Sequence, residues 1–150
     1  MCDDLVAAVG PNDARPKIRQ LRNPRQKDAF RYGSAFSRGA VVKEADVSVI
    51  EVSGTAAIDE RGVSLYPDDI RAQITATFDR IEALIGPEGA RLEDICAATV
   101  FVKRPEYYAV YREMAAERGL EDFPGVCIVA DVCREELLFE IDAEVAFRGA

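Results

Sequence analysis

Histidine is missing from this 150-residue chain. Its absence excludes a Ser-His-Asp or Cys-His arrangement built within the chain. HExxH and Cys2His2 metal sites are excluded with it. Any general acid or base must be a carboxylate, a thiol, a tyrosine, a lysine or a bound water. Cysteines are few, at 2, 96, 127 and 133, and no pair has CxxC spacing. A zinc knuckle or thioredoxin-type dithiol is therefore not expected. No apolar run approaches the length of a membrane span. The start, Met1-Cys2-Asp3-Asp4, lacks the basic and apolar regions of a signal peptide. The expectation is a reduced, cytoplasmic protein with free thiols and no membrane partner. Repeats and low-complexity tracts are absent as well.

What the chain does contain is a large apolar fraction, 49%, over a length that suits one domain with its own core. Its net charge of −8 argues against a nucleic-acid partner. The charge is unevenly spread. Residues 15–38 carry eight basic groups (Arg15, Lys17, Arg19, Arg22, Arg25, Lys27, Arg31 and Arg38) and one acid, Asp28. Such an arm can clamp onto its own acidic body or a neighbouring subunit. Alternatively, one or two of its arginines grip an anionic ligand. Residues 1–34 also hold Pro11, Pro16 and Pro24 with little periodicity, and read as an extended or partly ordered arm. Residues 35–150 then form a single domain.

Within that domain, Phe36 to Val42 reads as a short strand. In Val47 to Ser53, Val47, Val49, Glu51 and Ser53 share one face, and Ser48, Ile50 and Val52 the other. Pro67 to Ile85 has one apolar stripe at helical spacing, with Asp68 and Asp69 near its N-terminus and Gly86-Pro87 at its end. Ile95 to Val102 is β-rich. A second helix runs from Pro105 to about Arg118, with Tyr107, Tyr108 and Tyr111 along one side, read as core packing. Strands follow at Val126 to Val132 and at Leu137 to Phe147. The order β-β-α-β-α-β-β predicts an α+β sandwich with helices on one face of a mixed sheet. In the last strand Leu137, Phe139, Ile141, Ala143, Val145 and Phe147 suit the helix-covered face. Glu140, Asp142 and Glu144 fall on the other, half-polar face, which suits an oligomer contact.

Val49 to Ala56 followed by Asp69-Ile70-Arg71-Ala72-Gln73, then Leu92 to Val102, Phe123-Pro124 and Phe139 to Ala143 resemble the RidA (YjgF) family. The resemblance runs from about Phe36 to Phe147. It implies a chorismate-mutase-like fold and a homotrimer with three ligand clefts at the subunit interfaces. It also implies hydrolysis of reactive enamines and imines without metal or cofactor, while older labels in the family include endoribonuclease and translation inhibitor. Carried over residue by residue, Ser53 and Gly54 match the Ser-Gly that borders the cleft. Glu140 matches the cleft glutamate and Cys127 the cleft cysteine. Phe36 falls where the family has a cleft tyrosine. Gly125 stands where the deaminases keep the arginine that anchors a substrate carboxylate. Loss of such a guanidinium costs about 2–5 kcal/mol of binding. Arg38 or another arm arginine is the candidate replacement. Asn23-Pro24-Arg25-Gln26, Ala35-Phe36-Ser37-Arg38 and Ser53-Gly54-Thr55-Ala56 also resemble the second half of the chorismatases, which cleave the enolpyruvyl group of chorismate.

Glu140 is thus either a solvated strand carboxylate or a cleft acid that activates water or protonates an alkene-like carbon. Cys127 is either a small buried hydrophobe or part of the cleft lining. Cys96 and Cys133 read as packing residues, and Gln73 as a plain helix-surface residue. The leading expectation is a RidA-like homotrimer that binds a small anionic metabolite, using Glu140 and water if it catalyses a reaction. A metabolite sensor without turnover and chorismatase-like enolpyruvyl chemistry are the alternatives, with a ribonuclease or translation inhibitor ranked last.

Overall fold

The computed structural model describes residues 17–33, 35–43 and 46–148. Six strands form one sheet: β1 (Lys17–Leu21), β2 (Gly39–Lys43), β3 (Ser48–Ala56), β4 (Ile95–Val102), β5 (Gly125–Val129) and β6 (Phe139–Phe147). Their spatial order is β1-β2-β3-β6-β4-β5. Every neighbouring pair is antiparallel except β4 and β5. That parallel return requires a crossover, which helix α2 (Tyr107–Glu117) supplies. Helix α1 (Ile70–Ile85) joins β3 to β4. The α+β class and mixed sheet are those the pattern predicts.

The sequence reading assigned no strand to β1, which pairs with β2 from Lys17↔Lys43 to Leu21↔Gly39. Lys17, Ile18, Arg19 and Gln20 are all exposed on this edge strand, so no apolar alternation marks it. Residues 1–16, with Cys2 and Arg15, lie outside the described residues. Helix α1 starts at Ile70 rather than Pro67, because the Asp69 carboxylate caps it by accepting the Ala72 N–H at 2.9 Å.

Both helices pack on one face of the sheet. Ile74, Phe78, Ile81, Leu84 and Ile85 of α1 meet Ile141, Val145 and Phe139 of β6 in a single buried cluster. Phe78 and Phe123 meet edge to face at 5.9 Å, and Tyr111 lies 5.6 Å from Phe139. Each such pair contributes about 0.5–1.5 kcal/mol beyond its buried area. Of the tyrosine stripe only Tyr111 is buried, while Tyr108 is exposed.

Gln73 overturns its surface reading, being wholly buried. Its Nε2 donates to the Tyr66 carbonyl at 3.0 Å and the Glu136 carbonyl at 2.8 Å. Its Oε1 accepts the Leu138 N–H at 2.8 Å. A single amide thereby fastens α1 to the chain entering β6.

The other sheet face carries Glu140, Asp142 and Glu144 of β6, with Val126 (68% exposed) and Ile128 (43% exposed) on β5. Across β3 and β6 the register shifts between Val52↔Ala143 and Thr55↔Ile141. Ser53 and Gly54 therefore oppose Asp142 alone, forming a β-bulge. That bulge lies against the carboxylates of β6.

Candidate functional site

The bulge explains the glycine. A β-carbon on Gly54 would lie 2.6 Å from Glu140 Oε1 and 3.1 Å from Asp142 Oδ1. Only a residue without a side chain lets the two carboxyl groups rest against the β3 main chain. Glu140 pairs with Ala56 on one side and Phe101 on the other, so three strands hold its backbone.

Glu140 is partly buried. Burial, reinforced by the nearby charge of Asp142 and opposed by Arg38, pushes its carboxyl up to about 7 from an ordinary 4.5. A carboxyl poised there both accepts and donates a proton near neutral pH.

Arg38 is almost entirely buried. It lies just before β2, so the strand expected from Phe36 begins only at Gly39. Its Nε and Nη2 both donate to the Lys27 carbonyl at 3.1 Å. Its guanidinium stacks on the Phe36 ring, 5.1 Å from the ring centre. The Arg38 carbonyl accepts the Ser53 N–H at 3.2 Å, tying it to the bulge. Phe36, Arg38, Ser53, Gly54 and Glu140 thus form one neighbourhood.

Gly125 and Cys127 do not join it within the chain. Both sit on β5, with β4 between them and Glu140. Cys127 pairs with the buried Val100 and packs on the core, which pushes its thiol up. A β-carbon on Gly125 would press the Phe123 ring at 3.1 Å and Val100 at 3.2 Å. The space at this position is therefore already filled by Phe123 and Val100.

Two residues join the neighbourhood that the sequence reading did not assign to it. Asp142 follows from its i, i+2 relation to Glu140. Cys133 was read as packing, yet the residue is exposed. Partial burial pushes its thiol up, and the charge of Glu140 pushes it further, while Arg134 and Arg38 pull it down. Arg134 anchors this loop through Nη1 to the Gly62 carbonyl at 2.8 Å and Ser64 Oγ at 3.1 Å. Cys96 is exposed too, with its sulfur 3.4 Å from both the carbonyl and Oε1 of Glu144. The packing reading fails for both, since Cys96 lies on the exposed start of β4 and Cys133 in the exposed loop between β5 and β6. Among the described residues, no helix is long and apolar enough to cross a membrane.

Comparison with known proteins places this geometry in context. The family model described as endoribonuclease L-PSP matches residues 27–147. A chorismatase structure matches with a TM-score of 0.74 at 23% identity, over 86% of this chain and 44% of that one. This chain thus spans less than half of the chorismatase. RidA from an Antarctic Psychrobacter matches with a TM-score of 0.70 at 18% identity, over 86% of this chain and 99% of that one. A YjgF-family protein from Mycobacterium tuberculosis matches with a TM-score of 0.61 at 23% identity, over 84% and 98%. At these identities the likeness to the solved structures establishes the fold.

Proposed function

This chain belongs to the endoribonuclease L-PSP family, the RidA/YjgF proteins, and from that membership we propose that it binds a small anionic metabolite beside Glu140 and hydrolyses a reactive imine or enamine there. The observation that carries the proposal is the Glu140 carboxyl, brought to about 7 over the Gly54 bulge. As a carboxylate it takes a proton from water while the oxygen attacks the C=N carbon. As a carboxylic acid it returns that proton to nitrogen, so C=N and water become C=O and ammonia. For an enamine the acid form first protonates the alkene carbon. The chemistry uses only the substrate, water and one carboxyl group.

The open sheet face, with its apolar Val126 and Ile128, supports assembly into a homotrimer with the sites at subunit interfaces. Gly125 cannot anchor a substrate carboxylate, so the positive charge near the site comes from Arg38 and the segment before it. The test is ammonia release from imines generated in situ, with Glu140→Ala as control. A rate equal to buffer alone for the wild-type protein would sink the deaminase reading.

A second reading has a specific observation behind it. The charge of Glu140 acts on the Cys133 thiol, and a chorismatase is among the structures that share this fold. Chorismatase-like chemistry would protonate the enolpyruvyl methylene carbon at Glu140, add water to the resulting oxocarbenium carbon and break its bond to the ring oxygen, releasing pyruvate and the ring alcohol. A coupled pyruvate assay with chorismate separates it from imine hydrolysis. Binding without turnover would give a thermal shift with chorismate, 2-oxo acids or hydroxybenzoates and no product in either assay. A ribonuclease has least support, because Glu140, Asp142 and Glu144 repel phosphates. Purified, nuclease-free protein is expected to leave RNA intact.

A further inference from the structure

A pocket of about 220 Å³ adjoins Arg38 on the side facing the N-terminal segment. Four cations line it, Arg22, Lys27, Arg31 and Arg38, against two acids, Asp28 and Glu60. In a chain of net charge −8, this is a local excess of positive charge. Among the described residues, neither Arg22 nor Arg31 has a carboxylate at ion-pair distance. The basic segment therefore does not spend these two arginines on its own acidic body. Guanidinium groups left in this way favour carboxylate or phosphate oxygens.

Buried amides hold the pocket in shape. Asn23 Nδ2 donates to the Arg80 carbonyl at 2.8 Å, and Gln26 Nε2 to the Ala56 carbonyl at 3.1 Å. Asn23 and Gln26 are both buried. Ala56 is the β3 partner of Glu140 in the ladder. The same short segment that positions Arg22 is thus fastened to the strand pair that carries Glu140. Arg38 lines the pocket and also acts on the Glu140 charge, so it joins the two places. Arg22, Asn23 and Gln26 precede the family match, which begins at residue 27.

We propose that this pocket is an anion subsite for a second negative group of the ligand, so that the protein selects small dianions, in particular dicarboxylates. One carboxylate sits between Arg22 and Arg31, and the rest of the molecule reaches past Arg38 towards Glu140. The volume suits such a metabolite and falls below the usual range of about 300–1,000 Å³ for larger ligands. This rests on the reading that the ligand binds beside Glu140.

The test is calorimetric titration at pH 7.5 with succinate and with propionate, which keeps one carboxylate and loses the other. Succinate is expected to bind the wild-type protein about tenfold more tightly than propionate. Arg31→Gln and Arg22→Gln are each expected to weaken succinate about tenfold and to leave propionate nearly unchanged, with Arg31→Lys recovering part of the loss. Equal binding of both probes, absence of succinate binding, or succinate binding unaffected by either glutamine variant would overturn the subsite. Melting curves without ligand verify that the variants fold. Glu140→Gln separates the two ideas. If that variant keeps succinate affinity but wild-type ammonia release is no faster than buffer, the subsite stands and the imine-hydrolysis reading falls.

Discussion

Glu140 and Gly54 compete for one volume, since a β-carbon on Gly54 would come within 2.6 Å of Glu140 Oε1. Gly54→Ala must therefore displace the carboxyl group or the main chain, at a cost of about 1–3 kcal/mol. With Glu140→Ala already in place the same substitution should cost much less, because the crowded oxygen is gone. Urea denaturation of the four proteins of this cycle measures the coupling. Strictly additive costs would mean that the strain lies elsewhere.

The raised carboxyl of Glu140 has a signature in stability. It titrates near 7 in the folded protein and near 4.5 when unfolded. Between those values the native state holds a proton that the unfolded chain has released. Wild-type stability contributed by this group therefore falls as pH rises from about 4.5 to about 7 and is level above. Glu140→Gln removes that loss. Relative to wild type, the variant should gain about 1–3 kcal/mol at pH 8 compared with pH 4.5, after allowance for solvent screening. Parallel stability curves would contradict the assignment.

Gln73 offers a test away from the site. Gln73→Leu keeps the volume but orphans the Leu138 N–H and the Glu136 carbonyl, while the Tyr66 carbonyl keeps the Asp69 N–H. Each buried orphan costs about 1–3 kcal/mol. A lower denaturation midpoint is expected, together with fast hydrogen exchange at the Leu138 amide. A slow amide there would show that another group holds the loop.

Restoring the family's arginine should not restore its chemistry. Gly125→Arg forces a β-carbon against Phe123 and Val100, and the repacking costs about 1–3 kcal/mol. Ammonia release from amino-acid-derived imines is expected to stay at or below the wild-type rate. A clear rise would show that the space at Gly125 opens readily.

Cys133 reports on Glu140 directly. Because the carboxylate charge pushes the thiol up, Glu140→Gln should lower the thiol's pKa and speed its alkylation by iodoacetamide at pH 8. Peptide mapping separates it from Cys96, whose thiol is governed by burial and Glu144 and should react unchanged.

Much of this architecture is legible in the sequence, for reasons that differ by element. Helix α1 and strand β4 announce themselves because each buries one periodic face. Strand β1 does not, because an edge strand with charges along it has no buried face to mark. The faces of β6 follow from alternation, which places Glu140 and Asp142 together. The position of Cys133 does not follow, because it depends on where a loop is pinned by Gln73 and Arg134. Gln73 itself looks polar and external in sequence, since the carbonyls that satisfy it lie far along the chain. Gly125 shows only that an arginine is missing, not that Phe123 has taken its room.

The bulge has one more implication. From Val52 to Thr55 strand β3 advances three residues, while β6 advances two between Ala143 and Ile141. A chain lacking Gly54 would still pair Val52 with Ala143 and Thr55 with Ile141, as an unbroken ladder. The sheet does not need that residue to close. It is a surplus position, retained where two carboxyl groups lie against the backbone, and it makes fold and site separable at a single peptide unit.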